Sequence, residues 1–515
     1  MKKIYYSLML IGALTFSSCS MDKAPYGQLD EETAVQTAKD LRQFRNTLYT
    51  GMRSVTSGSW LYFSDIQMDE FHGLISNGNR IGSFSNGVIT PSDGDVTSMW
   101  SGCYAVIATA NAIIERADEM KANNAFSASD KACFLRYKAE AQFVRAYLYF
   151  WLADHFCQSY TQCEDPTKTA TGLPLVTTYN PTGNISDYPH RSTLAQTFDL
   201  IEVDLEEAYD GLAAWERSGV KDEKDENNAS LAYIHPMTVQ ALNARIALVK
   251  GDWTSAVDYA TEVINSGKYS LTKINDYAKL WTKDEGTEII FRPLMTSTEL
   301  GNCTATPYVS ESETRADYVP TSDALYVLWE EEGDVRADVF LKQYSNLQVE
   351  GKNYEAFVLN KFPGNSDLRT GSNNNLMNMS KPFRLSEMYL IAAEAEARLG
   401  HMEAANRYLD ILRSNRIVDY TPEYEEKQEN LLKLIADERQ REFIGEGMRM
   451  SDIRRYGQGF TRLAKHEESP GLESVVVKQG SNLSYSAKDY RLTWPIPKSE
   501  IDANPNLAGE QNPGY

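Results

Sequence analysis

Two glycines constrain the fold more than any other feature. Gly251 and Gly400 each close one helical pattern and open another, and the residues around them repeat. Counting from each glycine, Ala244 matches Ala393 seven positions back and Ala256 matches Ala405 five positions on. Tyr259 matches Tyr408 eight on, and Val263 matches Leu412 twelve on. Small residues let two helices cross closely, the glycine takes the turn, and the aromatic packs on the return helix. Such a unit cannot bury its apolar face alone and must stack on its neighbours. The pattern predicts a mainly α chain built from tetratricopeptide-like helical hairpins.

Earlier segments supply further pairs. Leu41, Phe44, Leu48, Met52 and Val55 share one helix face, and Trp100, Tyr104, Ile107, Asn111 and Ile114 share another. Pairing 41–55 with 99–120, and 132–156 with 194–213, brings the expected number of hairpins to about four. Ala132–Phe156 is apolar almost all round in its second half, which predicts a central, buried helix. Glu140 and Arg145 lie within it and need structural ion-pair partners there. Trp100 and Trp329 sit on apolar helix faces and belong to the core. Residues 57–98, 295–320 and 363–380 are long stretches rich in Gly, Asn, Ser and Thr, and loops of this length usually carry function. Residues 218–230 are charged and polar and predict a surface loop. Strand-like runs, such as 288–291 and 474–478, are few and short. The expected architecture is hairpins packed against an irregular, loop-rich half.

The N-terminus bears on the compartment. Lys2 and Lys3 precede an apolar run from Ile4 to Phe16, too short to span a bilayer but suited to a signal peptide. Ser17-Ser18-Cys19 follows, with Phe16 where leucine is more usual in a bacterial lipobox. On that reading residues 1–18 are removed, Cys19 is lipidated and 19–32 form a polar tether. The alternative is an ordinary cleaved signal with a chance cysteine. Loss of the two lysines takes the net charge from −21 to −23, which argues against a nucleic-acid partner. The five other cysteines are an odd number and form no C-x-x-C pair; Cys157 and Cys163 could close a short loop.

A search for chemistry finds little. None of the six histidines lies at H-x-x-x-H spacing, and no phosphate loop or nucleophile elbow occurs. Asp93-Gly94-Asp95 reads as a turn rather than a calcium loop. Glu438, Glu442 and Glu446 are spaced like one helix face, but Arg439, Arg441, Arg449, Arg454 and Arg455 lie among or after them, so they read as a salt-bridged structural element. No catalytic residue, metal or cofactor is expected.

Several segments together resemble the SusD/RagB family. Ala139-Glu140-Ala141-Gln142-Phe143-Val144-Arg145-Ala146-Tyr147 is similar to its first helical motif, and Gly172-Leu173-Pro174-Leu175-Val176 follows as in the family. Phe383 to Ala395 resembles a second motif, and Glu438 through Arg455 a third. Trp494-Pro495-Ile496-Pro497, Glu500, Asn504-Pro505 and the terminal Gln511-Asn512-Pro513-Gly514-Tyr515 resemble the family's C-terminal signature. The resemblance implies an N-terminal region over 33–230 and a C-terminal region over 231–515, folded as one compact unit. It also implies a lipoprotein anchored in the outer membrane, facing the cell exterior. Its implied partner is a SusC-like TonB-dependent transporter, to which it would deliver glycan, or alternatively peptide. The family's motifs are structural and it carries no catalytic residues, so its ligand contacts do not follow from them.

Ligand contacts are instead expected on the loops, because a sugar offers apolar faces to rings and polar edges to amides and charges. The first loop gathers Asp69, Phe71, His72, Asn77, Asn79, Arg80 and Phe84; the second holds Tyr308, Glu311, Arg315 and Tyr318. The two loops are expected to converge, with Phe71, Asn79, Arg80, Tyr308 and Tyr318 touching ligand.

Overall fold

The computed structural model describes residues 35–78, 80–222, 230–480 and 482–515. Cys19, the signal and tether segments, Asn79 and most of the charged 218–230 loop lie outside the described residues.

The chain enters through α1 (Ala38–Val55), whose Thr37 and Asp40 form a reciprocal cap, and α2 (Ser59–Gln67). Two 29-residue helices follow, α3 (Gly94–Ala122) and α4 (Ala128–Phe156). Asp93 accepts from the Asp95 and Val96 amides, so Asp93-Gly94-Asp95 is a helix cap. α5 (Leu194–Ser218) lies on α4, and α1 lies on α3. α6 (Pro236–Lys250) and α7 (Trp253–Asn265) form the next hairpin, and α8 (Leu385–Arg398) with α9 (Met402–Arg413) the last, beside α10 (Gln428–Phe443) and α11 (Arg449–Tyr456). Gly251 and Gly400 turn the two repeats with φ of 75° and 83°, a backbone region costly for any residue with a Cβ. Ala244, Ala256, Ala393 and Ala405 are fully buried at the crossings, with Val263 and Leu412 beside them. The other three pairings read from sequence hold, whereas α3 packs more extensively on α4 than on α1, its expected partner.

Two cores result. The helical core runs through Phe143, Leu148, Leu242 and Leu390; the second gathers Phe71, Tyr277, Trp281, Tyr308, Leu347 and Val358 under the loops. Strands serve the loop half as short antiparallel pairs: β1 (Phe71–Gly73) with β3 (Tyr318–Pro320), β2 (Ile289–Phe291) with β6 (Phe383–Arg384), and β7 (Phe460–Arg462) with β8 (Leu483–Tyr485). The longest pair is β4 (Leu341–Val349) with β5 (Lys352–Leu359), a hairpin turned at Glu350-Gly351, where both residues have positive φ. The 474–478 run is not a strand: Leu472–Val475 is a 3-10 turn, and only Val476 bridges to Leu74.

An ion-pair lattice lies between the two halves. Arg336 pairs with Asp334, Glu438 and Glu442; Arg384 with Glu288, Glu442 and Glu446; Arg416 with Glu288 and Glu442. Lys361 completes it on Glu446 at 2.6 Å. Three guanidinium groups around Glu442 hold its carboxyl well below the usual range despite full burial. α10 ends at Phe443, so Glu446 continues the alignment from the following turn. In the central helix Glu140 pairs with Arg45 at 3.2 Å and Arg136 at 2.9 Å, and Arg145 grips both oxygens of Asp204 at 2.8 and 2.6 Å. Cys157 and Cys163 are free thiols.

Candidate functional site

The two predicted loops meet at the seam between the cores. At Gly58 (φ 65°) the chain turns from α1 into α2, and a Cβ there would stand 2.4 Å from the Asn302 Cβ. This close approach docks the second loop on the first helix. The Asn302 amide donates to Ser57 Oγ at 3.0 Å, and the Gly58 amide donates to Thr304 Oγ1 at 3.0 Å. The β1–β3 ladder then sets Phe71 opposite Pro320 and Gly73 opposite Tyr318.

Buried cations pin the first loop from beneath. Arg462 donates to the carbonyls of Ile66, Met68 and Phe71 at 2.8–3.0 Å, and also to that of Ser85. With carbonyls rather than a carboxylate as partners, burial pushes its pKa down to about 10. Arg449 holds Asp69 through two bonds of 2.8 and 2.7 Å.

Three of the expected ligand residues take a different role. Phe71, Tyr308 and Tyr318 each have 0% exposed surface, so no ligand can stack on them. Phe71 and Tyr308 pack with ring centres 4.7 Å apart, and the Tyr318 hydroxyl donates to the Arg80 carbonyl at 2.6 Å. Long polar loops have few apolar side chains, and these rings are consumed in building a core beneath them. They form the floor of the convergence, not its contact surface.

Arg80 remains on that surface, its side chain 51% exposed and paired with Asp317. Next to it, Ile81 has φ 64°, a left-handed conformation that a β-branched residue adopts at a cost of roughly 1–3 kcal/mol. Its carbonyl accepts from the Phe84 and Ser85 amides at 3.2 and 3.1 Å, so a short helical turn holds the strain in place. Tyr62, on α2, was missed by sequence reasoning. It is half-buried, packs against both cores, and meets the Tyr308 ring edge-on at 6.5 Å. Burial raises its hydroxyl pKa, partly offset by the nearby Arg80 charge. Within the aromatic run Trp60-Leu61-Tyr62-Phe63 nothing in the sequence distinguishes the ring that reaches the seam from the one that fills the core. The arrangement offers a ring edge, a cation and a carboxylate above a rigid aromatic floor, which suits a neutral ligand with apolar faces and hydroxyl edges.

The third loop folds on itself. Asn374 Nδ2 donates to the Pro363 carbonyl at 2.8 Å and Asn375 Nδ2 to that of Leu368 at 2.9 Å. Glu438 and Glu442 are locked in the lattice with no open space between them for a substrate.

Two family models match this chain. The SusD family model matches residues 308–515, and a model described as starch-binding associating with the outer membrane matches residues 21–235. The chain belongs to the SusD/RagB family. A SusD-like protein of Formosa agariphila is 25% identical over 573 aligned residues, covering 100% of each chain. A crystal structure of a SusD superfamily protein from Bacteroides thetaiotaomicron superposes with a TM-score of 0.77 at 27% identity, covering 93% of this chain and 100% of that one. A laminarin-binding SusD-like protein shares the fold at a TM-score of 0.66 and 21% identity, over 93% of this chain and 100% of its own. Like its SusD relatives, this chain is a tetratricopeptide-like helical protein.

Proposed function

We propose that this SusD-family protein captures glycan at the outer face of the outer membrane and delivers it to a SusC-like TonB-dependent transporter. The observation that carries the reading is the match of residues 21–235 to the outer-membrane starch-binding model. The laminarin-binding relative supports the same ligand class. The seam is the capture site, with Tyr62, Arg80 and Asp317 in contact with saccharide and Asn79 beside them in sequence. Phe71, Tyr308 and Tyr318 act indirectly, by holding the loops in register. Chemistry on the bound glycan is left to other proteins, because Glu438 and Glu442, the carboxylates aligned in the sequence, are neutralised by arginines. Lipidation at Cys19 supplies the anchor, and the helical repeats supply a broad rigid surface for the transporter.

Affinity purification from outer membranes solubilised in mild detergent tests the delivery step. A large β-barrel protein should copurify. Recovery of this protein alone would contradict it. A parallel binding panel of maltohexaose, laminarihexaose and mixed peptides separates glycan capture from peptide capture.

A further inference from the structure

A second cleft lies away from the seam, where the ends of α5 and α7 face the strand β2. The described residues enclose about 900 Å³ there, at the upper end of the ~300–1,000 Å³ typical of small-molecule sites. None of its lining residues belongs to the seam. Trp215, Tyr233, His235 and Tyr269 line it, each half-buried, with Leu231 and Ile289 between them.

The polar chemistry of this wall is unusually open. His235 Nε2 lies 3.2 Å from the Ile290 carbonyl and 3.1 Å from the Tyr269 hydroxyl oxygen. A carbonyl only accepts, so Nε2 must carry the proton and donate. Burial keeps this imidazole neutral, its pKa pushed down to about 4. The Tyr269 oxygen then accepts from Nε2 or stands beside it, and its own O–H is left to donate elsewhere. The Trp215 Nε1 donor is buried in the wall and has no hydrogen-bond partner among the described residues. The Arg136 guanidinium sits 4.2 Å over the Trp215 ring and fixes its plane. Ser270 and Thr287 are tied together by two bonds, amide to carbonyl at 3.0 Å and hydroxyl to carbonyl at 2.8 Å, so that rim is rigid. Lys221, Lys268 and Glu216 are exposed on the rim, and Arg136 and Asp222 line the cleft as buried charges.

We infer that this cleft is a second saccharide-binding site, separate from the seam. Half-buried rings and the free Tyr269 hydroxyl donor match the apolar faces and hydroxyl edges of a pyranose. The lining mixes charges of both signs, and the volume accommodates two or three sugar units. A second site on one rigid protein would let a polysaccharide engage twice and raise retention without new contacts at the seam. The inference goes beyond the capture reading and stands on different residues.

The test compares the full chain with two double variants, Trp215→Ala/Tyr269→Ala in the cleft and Tyr62→Ala/Arg80→Ala at the seam. Each is titrated calorimetrically with maltohexaose and laminarihexaose, and run in native gels containing starch or laminarin. The cleft variant should lose one of two binding equivalents and be retained by polysaccharide at least about ten-fold more weakly. The seam variant should keep the cleft equivalent. If the cleft substitutions disturb folding, Tyr269→Phe keeps the ring, removes the free hydroxyl and should weaken the same equivalent. Unchanged stoichiometry and retention in a folded cleft variant would overturn the inference and leave the seam reading intact. So would loss of all binding in the seam variant, or no saccharide binding by the wild type.

Discussion

The Tyr318 hydroxyl donates to the Arg80 carbonyl at 2.6 Å, while the Arg80 guanidinium pairs with Asp317 next to Tyr318 in the chain. One residue of the first loop is thus held at both its backbone and its side chain by two consecutive residues of the second. The presentation of Arg80 depends on that double hold, although Tyr318 never reaches solvent.

Removing only the hydroxyl should therefore loosen the seam without emptying it. Tyr318→Phe is expected to cost about 0.5–1.5 kcal/mol of stability, the net worth of one hydrogen bond. Tyr318→Ala opens a cavity and is expected to cost about 3–5 kcal/mol. Urea unfolding of both variants checks the order. An alanine variant as stable as the phenylalanine one would contradict the buried role.

Glu442 is surrounded by Arg336, Arg384 and Arg416, each within 3.0 Å. Glu442→Gln keeps the shape but leaves those cations short of an anion. A loss of about 3–5 kcal/mol is expected, the usual consequence of breaking a buried charge network from one side. Thermal unfolding reads it directly, and a change below about 1 kcal/mol would rule out a structural lattice.

His155 gives a pH signature. It stacks on Trp151 with ring centres 4.1 Å apart, faces Trp494 at 4.7 Å, and lies 2.8 Å from the Trp151 carbonyl through Nδ1. Burial pushes its pKa down to about 3, with Arg454 adding to the effect. The unfolded chain, with an ordinary histidine, binds the extra proton first as pH falls below about 6.5. Its contribution is therefore present at pH 7 and is lost progressively toward pH 3. Between pH 7 and pH 5 that loss is about 2 kcal/mol. His155→Phe preserves the stack and should shrink the fall in stability by that amount, measured by urea unfolding at the two pH values. Identical pH slopes would contradict the assignment.

Much of this was legible in the chain, and the reasons differ by element. The hairpins were readable because Gly251 and Gly400 mark turns that only an αL residue satisfies easily, and because small residues recur at fixed distances from them. The role of Glu438 and Glu442 was readable from the arginines interleaved with them. The convergence of the loops was expected, but the direction of their rings was not. Phe71, Tyr308 and Tyr318 look like sugar platforms in sequence, since an aromatic in a polar loop carries no mark of which side faces water. Tyr62 was hidden in an apolar run, and the strained Ile81 backbone has no sequence signature at all. The β4–β5 hairpin was passed over because its Glu-Gly turn lacks the usual Asn or Asp.

Anchoring is expected to depend on Cys19. Cys19→Ala should release the protein from the outer-membrane fraction and abolish its labelling by palmitate. A variant that remains membrane-bound and protease-accessible on intact cells would show that the anchor lies elsewhere.

The most direct test of glycan capture at the seam is calorimetry on the wild type, Tyr62→Ala and Arg80→Ala with maltohexaose and laminarihexaose. At least one oligosaccharide should bind the wild type, and each substitution should weaken the seam equivalent by about 1–3 kcal/mol, as expected for an interface anchor. Wild-type affinity in both folded variants, or binding of peptides with no binding of either sugar, would contradict the account.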